Sequence, residues 1–322
     1  MEIELPPSVG SQHLGRLFSI CTAIDRTDDL HVILDASEVS SIDPQGFTIL
    51  AALFSRHPSK KISIHWLRTS VASYMSRMDF FNHFDVDGVE IPQNGRNDQR
   101  SGLTELTCVE SYADSDAAAN RLADAITGTL TNADPNAVDA AEPGQFGRFK
   151  HPIFYSLSEL LDNALTHARQ QDNQRAQVWV AAQFYRGNGT VKMSVVDNGC
   201  GMLATLKNHP KLPERTHVAA INTALISRVS CNRNGNLYNT HGNQGVGLTT
   251  TAKIAKSAHG SLTIASGDAF VMSSEGRSGI WTDDAYWQGV SIGLVCKRGL
   301  LPSIRVRELL PPEDTDVDIS FL

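Results

Sequence analysis

No run of about 18 consecutive apolar residues, the length a helix needs to cross a bilayer, occurs in the chain. The N-terminus, MEIELPPSVG, lacks a basic segment followed by an apolar core, so it does not read as a secretory signal. Cysteine is scarce: five residues, at 21, 108, 200, 231 and 296, odd in number and without a CxxC pair. That argues against a disulfide framework or a zinc site and fits a reducing cytoplasm. Positive charge is in the minority, with 28 Lys and Arg against 35 Asp and Glu and a net charge of -7. General affinity for nucleic acid or an anionic membrane needs the opposite surplus, so neither is expected as a partner.

What the chain does have is apolar material for real cores, at 41% hydrophobic and 20% charged residues. Its 322 residues suffice for two domains. The first stretch alternates strand-like and helix-like patterns: 30–35 and 62–67 read as strands, 47–54 and 71–78 as helices. That order implies an α/β unit with a partly parallel sheet. Residues 92–103 are polar and turn-rich and mark a boundary. A strand at 104–109 and an Ala-rich helix at 114–130 follow, then a loop at 132–147.

The remaining order is clear. Residues 154–168 carry apolar side chains at helical spacing. Strands at 177–184 and 191–196 flank the hairpin turn Arg186-Gly187-Asn188-Gly189. Residues 203–241 have weak strand signals and one helix around 216–228, and 248–258 is a helix. Stretches 262–266, 269–273, 279–282 and 289–296 read as antiparallel strands, and the acidic tail after Pro311 as loose. The division is therefore 1–92, a connecting stretch 93–150, a second domain 151–300 and a tail 301–322.

Three segments of the second domain carry chemistry. Glu159 and Asn163 are four apart on the 154–168 helix and stack on one face, with the apolar side turned to the sheet. A carboxylate there can orient and deprotonate water. An amide oxygen one turn on can hold Mg²⁺. An exposed polar pair on an amphipathic helix would look the same. The second segment, Val195 to Met202, leaves a strand through Asp197 into a turn with Gly199 and Gly201. A buried Asp at a strand end can accept from an adenine amino group, and the glycines permit close backbone approach; an Asx turn is the plainer alternative. The third, His241 to Leu248, places Gly242, Gly245 and Gly247 before a helix, where free N–H groups attract phosphate. A flexible loop has the same composition.

Taken together, the three resemble the N, G1 and G2 boxes of the GHKL ATPases (gyrase, Hsp90, histidine kinase, MutL). The resemblance implies a Bergerat-type two-layer α/β sandwich, a mixed sheet covered by helices on one face, with ATP and Mg²⁺ between. It implies Glu159 as general base, Asn163 as Mg²⁺ ligand and Asp197 as the adenine acceptor. Gly199, Gly201 and Met202 would shape the base pocket. Gly242, Asn243, Gly245, Val246, Gly247 and Leu248 would take the phosphates, and 203–241 would form a mobile lid. Where many histidine kinases have Gly-Thr, this chain has Gly289-Val290. Asn163 to Ala168, with His167, is similar to the helix of anti-sigma-factor serine kinases; a histidine merely near a helix end is the alternative.

The stretch from Leu34 to Phe47 is similar to the phosphosite loop of STAS domains, so 1–92 is expected to be a STAS-like α/β domain. Gln45 stands where the family has Ser or Thr, and Gln cannot accept a phosphoryl group. The functions left open are an ATPase or ATP-driven switch acting on a protein partner through the STAS-like half, an anti-sigma-type serine kinase, and a non-catalytic nucleotide-dependent module. A histidine autokinase is disfavoured, since 91–150 offers no long two-helix phosphoacceptor hairpin. Oligomeric state is left open, a homodimer included.

Overall fold

A computed structural model describes residues 1–92, 102–128, 150–170, 175–226, 247–273 and 275–309. The expected loop at 132–147, most of the polar stretch at 92–103 and the tail after Pro311 lie outside the described residues.

Two sheets organise the chain. β1 (Glu2–Glu4), β3 (His31–Asp35) and β5 (Lys61–His65) form a parallel sheet in the order β1-β3-β5, and β2 (Ser8–Val9) pairs in parallel with β4 (Ser41–Ile42). Parallel neighbours need crossovers. These are α1 (Leu14–Arg26), before β3, and α2 (Pro44–Arg56), before β5. Neither α1 nor β1 was evident from the sequence. Gly15, Cys21 and Thr22 weaken α1's helix propensity, and its N-cap, His13, makes no side-chain cap bond. α3 (Thr69–Arg77) and α4 (Phe80–His83) complete this half.

The second sheet has seven strands: β6 (Leu103–Val109), β7 (Val178–Tyr185), β8 (Thr190–Asp197), β9 (Ser261–Gly267), β10 (Ala269–Met272), β11 (Arg277–Ile280) and β12 (Trp287–Lys297). Their order is β11-β10-β9-β12-β8-β7-β6, and every pairing is antiparallel. The expected mixed sheet is thus corrected. Tight turns join β7 to β8 and β9 to β10, and such hairpins reverse the chain.

Side chains alternate across this sheet with period two. Val178, Val180, Val191, Met193, Val195, Ile292 and Leu294 point to one face and share a core with α5 (Tyr112–Thr127), α6 (His151–Ala168) and α9 (Gly247–Ser257). α5 starts on Ser111, whose hydroxyl accepts from the Asp114 amide, and stops at Gly128, left-handed at φ 75°. That glycine ends the helix earlier than the expected 130. Trp179, Ala181, Val196 and Trp287 point the other way, into a second cluster with α1 and α2.

Helices therefore cover both faces of the seven-stranded sheet, not one. α2 is buried at every residue from Pro44 to Phe54 and packs on β7, β8 and β12. Asp43 caps it, accepting from the Gln45 and Gly46 amides, with Pro44 in the first turn. Its contacts progress along β8. Asp43 pairs with Lys192 at 2.8 Å, Thr48 meets the Ser194 hydroxyl at 2.8 Å, and Asn198 donates to the Ala52 carbonyl at 3.4 Å. From Asp43 to Ala52 the helix rises about 14 Å, against about 20 Å of strand from Lys192 to Asn198, and the long Lys192 and Asn198 side chains can take up the difference.

Candidate functional site

Between α6 and the C-terminal end of β8 lies a cleft of about 820 Å³, counted with the solvent space at its mouth. Its walls are mostly apolar: Leu160 and Ala164 of α6, Val195 of β8, Val290 and Ile292 of β12, and Leu248 of α9. Polar groups are few, chiefly Asn163, His167, Asp197 and Thr205.

Asp197 ends β8 and is 4% exposed. Its carboxylate accepts from the Gly199 amide at 2.8 Å. Burial pushes its pKa up to about 7, against the opposing pull of the Gly199 and Val290 amides and the Arg56 guanidinium. A carboxylate this poorly solvated gains most from a ligand donor in the cleft. The turn after it is tightly seated. A side chain at Gly199 would start 2.4 Å from the Ala168 Cα. At Gly201, left-handed at φ 81°, it would start 2.4 Å from the Gln288 carbonyl. Ser266, fully buried, accepts from the Met202 amide at 3.0 Å and donates to the Gly289 carbonyl at 2.9 Å, tying that turn to β12.

The opposite wall is α6, whose Leu157, Leu160, Leu161 and Leu165 are buried, as its apolar spacing requires. Asn163 lines the cleft; Glu159 does not. Four residues at 3.6 per turn leave the two about 40° apart, and the Tyr155 hydroxyl engages the Glu159 carboxylate at 2.6 Å. Glu159 meets α9 instead. A side chain at Gly247 would start 3.0 Å from the Glu159 Cβ, so α9's N-terminus abuts the carboxylate-bearing turn of α6. Gly242, Asn243, Gly245 and Val246, the other expected phosphate contacts, lie outside the described residues.

His167 also lines the cleft, and burial holds its imidazole below the usual histidine range, favouring the neutral ring. The stretch expected to be a lid begins with α7 (Met202–Leu206) and α8 (His217–Ala224), two short helices in place of one. Thr205, Leu206 and Ala224 close one side of the cleft, and α8 rests on β9 and β10. Residues 227–241 of that stretch lie outside the described residues.

Val290, singled out beside Gly289, does line the cleft. The sequence reading missed Leu206, Ala224 and Ile292 as lining, because apolar residues in a cleft resemble apolar residues in a core. It also missed Trp287, whose indole N–H donates to the Asp197 carbonyl at 3.0 Å.

A helix layer over an antiparallel sheet, with a buried Asp at a strand end opposite an Asn-bearing helix, encloses a mostly apolar cleft. Residues 151–281 match the family model of the histidine kinase-, DNA gyrase B- and HSP90-like ATPases, and this stretch is a domain of that kind. No curated protein and no solved structure matches the chain. No helix among the described residues is long and apolar enough to cross a membrane.

Proposed function

We propose that the chain is a cytoplasmic, ATP- and Mg²⁺-binding regulatory protein that uses ATP hydrolysis to change how it engages a protein partner. The observation that carries this reading is Asp197. It is a buried, poorly solvated carboxylate in an apolar cleft, fixed by the Gly199 amide and faced by Asn163. An exocyclic amino donor such as that of adenine satisfies it. Gly199 and Gly201 set the floor of that pocket, and Met202 and Leu248 line it.

Phosphates of a base seated there run towards α9, where Gly247 opens the helix. Gly242, Asn243, Gly245 and Val246 extend that site in our reading. Among the described residues no cluster of three or more His, Cys, Asp or Glu could cage a metal. Mg²⁺ keeps most of its water and takes only one or two protein ligands beside phosphate oxygens, so the Asn163 amide oxygen suits it. Bound there, it would neutralise phosphate charge. Glu159, on the same helix and held by Tyr155, accepts a proton from attacking water.

The first 92 residues are read as a STAS-like partner-binding unit, and 151–300 as the ATP unit. Gln45, the residue at the usual phosphosite, is 4% exposed, and its amide donates to the Ser291 hydroxyl at 3.1 Å. That burial favours a docked surface over a substrate. A serine kinase of the anti-sigma type is the second reading, supported by His167 in the cleft.

Incubation with γ-labelled ATP and Mg²⁺ separates the readings. Free phosphate that Glu159→Ala abolishes supports hydrolysis; label on protein supports the kinase. ATP bound without turnover supports a switch alone. Failure to bind ATP, or binding unaltered by Asp197→Ala, refutes the nucleotide reading.

A further inference from the structure

Besides α2, whose Ala52 carbonyl accepts from Asn198, the N-terminal half reaches the back of the cleft at the loop that leads into β12. Asp283 and Asp284 of that loop are both left-handed, at φ 58° and 55°. Two successive non-glycine residues in that region hold their shape only against surrounding contacts. α1 supplies them. The Ser19 hydroxyl donates to the Asp283 carbonyl at 3.0 Å, the Tyr286 amide donates to the Thr22 hydroxyl at 3.0 Å, and the Phe18 ring stacks on Trp287 with centroids 5.8 Å apart.

The end of α2 adds a cation. The Arg56 guanidinium lies 4.3 Å from the Trp287 ring centroid and is anchored by Asp25 of α1 at 3.1 Å. Trp287 is fully buried, and its N–H reaches the Asp197 carbonyl. Immediately beyond, Gly289 touches Asp197 so closely that a side chain there would start 1.9 Å from the Asp197 carbonyl oxygen. Asp25, Arg56, Trp287 and Asp197 thus form one chain of contacts, running from α1 to the floor of the cleft. Arg56 also opposes the rise in the Asp197 pKa, which places its charge within electrostatic reach.

We propose that Arg56 is a positioning residue for the base pocket: from the N-terminal half it fixes Trp287, and through Trp287 the Asp197 turn. The proposal rests on the reading of the cleft as an adenine site. It makes the N-terminal half a determinant of base recognition as well as a partner-binding unit.

The test uses the full chain with Arg56→Ala and Trp287→Phe, the second keeping an aromatic ring but losing the N–H donor. Two quantities are measured: amide hydrogen exchange of residues 197–202 without ligand, and the ratio of ATP to GTP affinity. Each variant is expected to speed exchange at 197–202 and to lower the ATP:GTP ratio, both by about fivefold or more. Exchange in β6 and α5, remote from Trp287, stays as in wild type. The double variant loses little beyond either single one, because both cut the same chain. Should Arg56→Ala fail to fold, Arg56→Lys, which keeps a cation beside Asp25 without the planar face, replaces it with the same expectation. Unchanged exchange at 197–202 overturns the proposal, as does an equal loss of ATP and GTP affinity, which marks a merely structural role. A wild type that binds no ATP, with exchange still accelerated in the variants, refutes the adenine reading and leaves the contact chain standing.

Discussion

The two faces of the seven-stranded sheet are buried by different chemistry. Towards α5, α6 and α9 lies the drier face, built mainly from apolar side chains such as Leu122, Leu161, Val180, Val195 and Ile292, with the Thr104 hydroxyl on the Arg121 carbonyl of α5 as a polar exception. Towards α2 the interface is threaded with polar pairs: Lys192 with Asp43, Gln45 with Ser291, and Thr48 with Ser194. Apolar packing is non-directional and tolerates a sliding helix. Buried hydrogen bonds penalise every register except the one that satisfies them. The drier face can leave room for a cleft, while the polar face fixes the N-terminal half at one position behind it.

The sharpest way to break that contrast is Asp43→Ala. Asp43 caps α2, accepts the Ser11 amide and hydroxyl, and pairs with Lys192. Its loss strands a half-buried ammonium and several donors, and about 4 kcal/mol of stability should go, as read from urea unfolding. A loss under 1 kcal/mol would mean the polar face is decoration. On the drier face, Leu161→Ala removes a fully buried side chain and should cost about 3 kcal/mol through cavity formation. The midpoint of the same titration measures it.

The cleft itself responds to pH. Burial raises the Asp197 pKa from 3.8 to about 7, so the native state holds that proton more tightly than the unfolded chain. Its contribution is complete below the unfolded pKa and is lost as pH rises through the folded one. Asp197→Asn removes the titration. The variant should come close to wild type near pH 4 and exceed it by about 4 kcal/mol at pH 8, while losing ATP affinity. Equal urea midpoints for variant and wild type at both pH values would show that the carboxylate is better solvated than its burial implies.

Much of this arrangement could be read in the chain, for physical reasons. The α6 pattern, the β7–β8 hairpin and the Asp197 turn are local signals, with periodicity or turn chemistry that survives in any context. The docking of α2 was partly legible as well. From Gly46 to Phe54 that helix has no polar face, the mark of a helix buried all round. Arg56 was not legible, because a surface arginine and one stacked on a distant tryptophan are written alike. Nor was Ile292, whose place in the cleft depends on a sheet order that no local pattern encodes.

The smallest effect isolates a single stitch of the polar face. Thr48 Oγ1 and Ser194 Oγ lie 2.8 Å apart, both fully buried, and the Ser194 hydroxyl also reaches the Ile292 carbonyl at 3.1 Å. If Ser194 gives its proton to Ile292, Thr48 is the donor of the pair, with the Pro44 carbonyl at 3.0 Å competing for the same proton. Thr48→Val keeps the shape and deletes that donor, which should cost about 1 kcal/mol. Ser194→Ala leaves the Ile292 carbonyl short of one donor and should cost a similar amount. The double variant removes both partners, so its loss should fall about 0.5–1 kcal/mol short of the sum. Strict additivity in urea unfolding would mean that α2 is held to β8 by shape alone. A coupling of the expected size would identify the hydroxyl pair as one of the contacts that set where the N-terminal half sits behind the Asp197 turn.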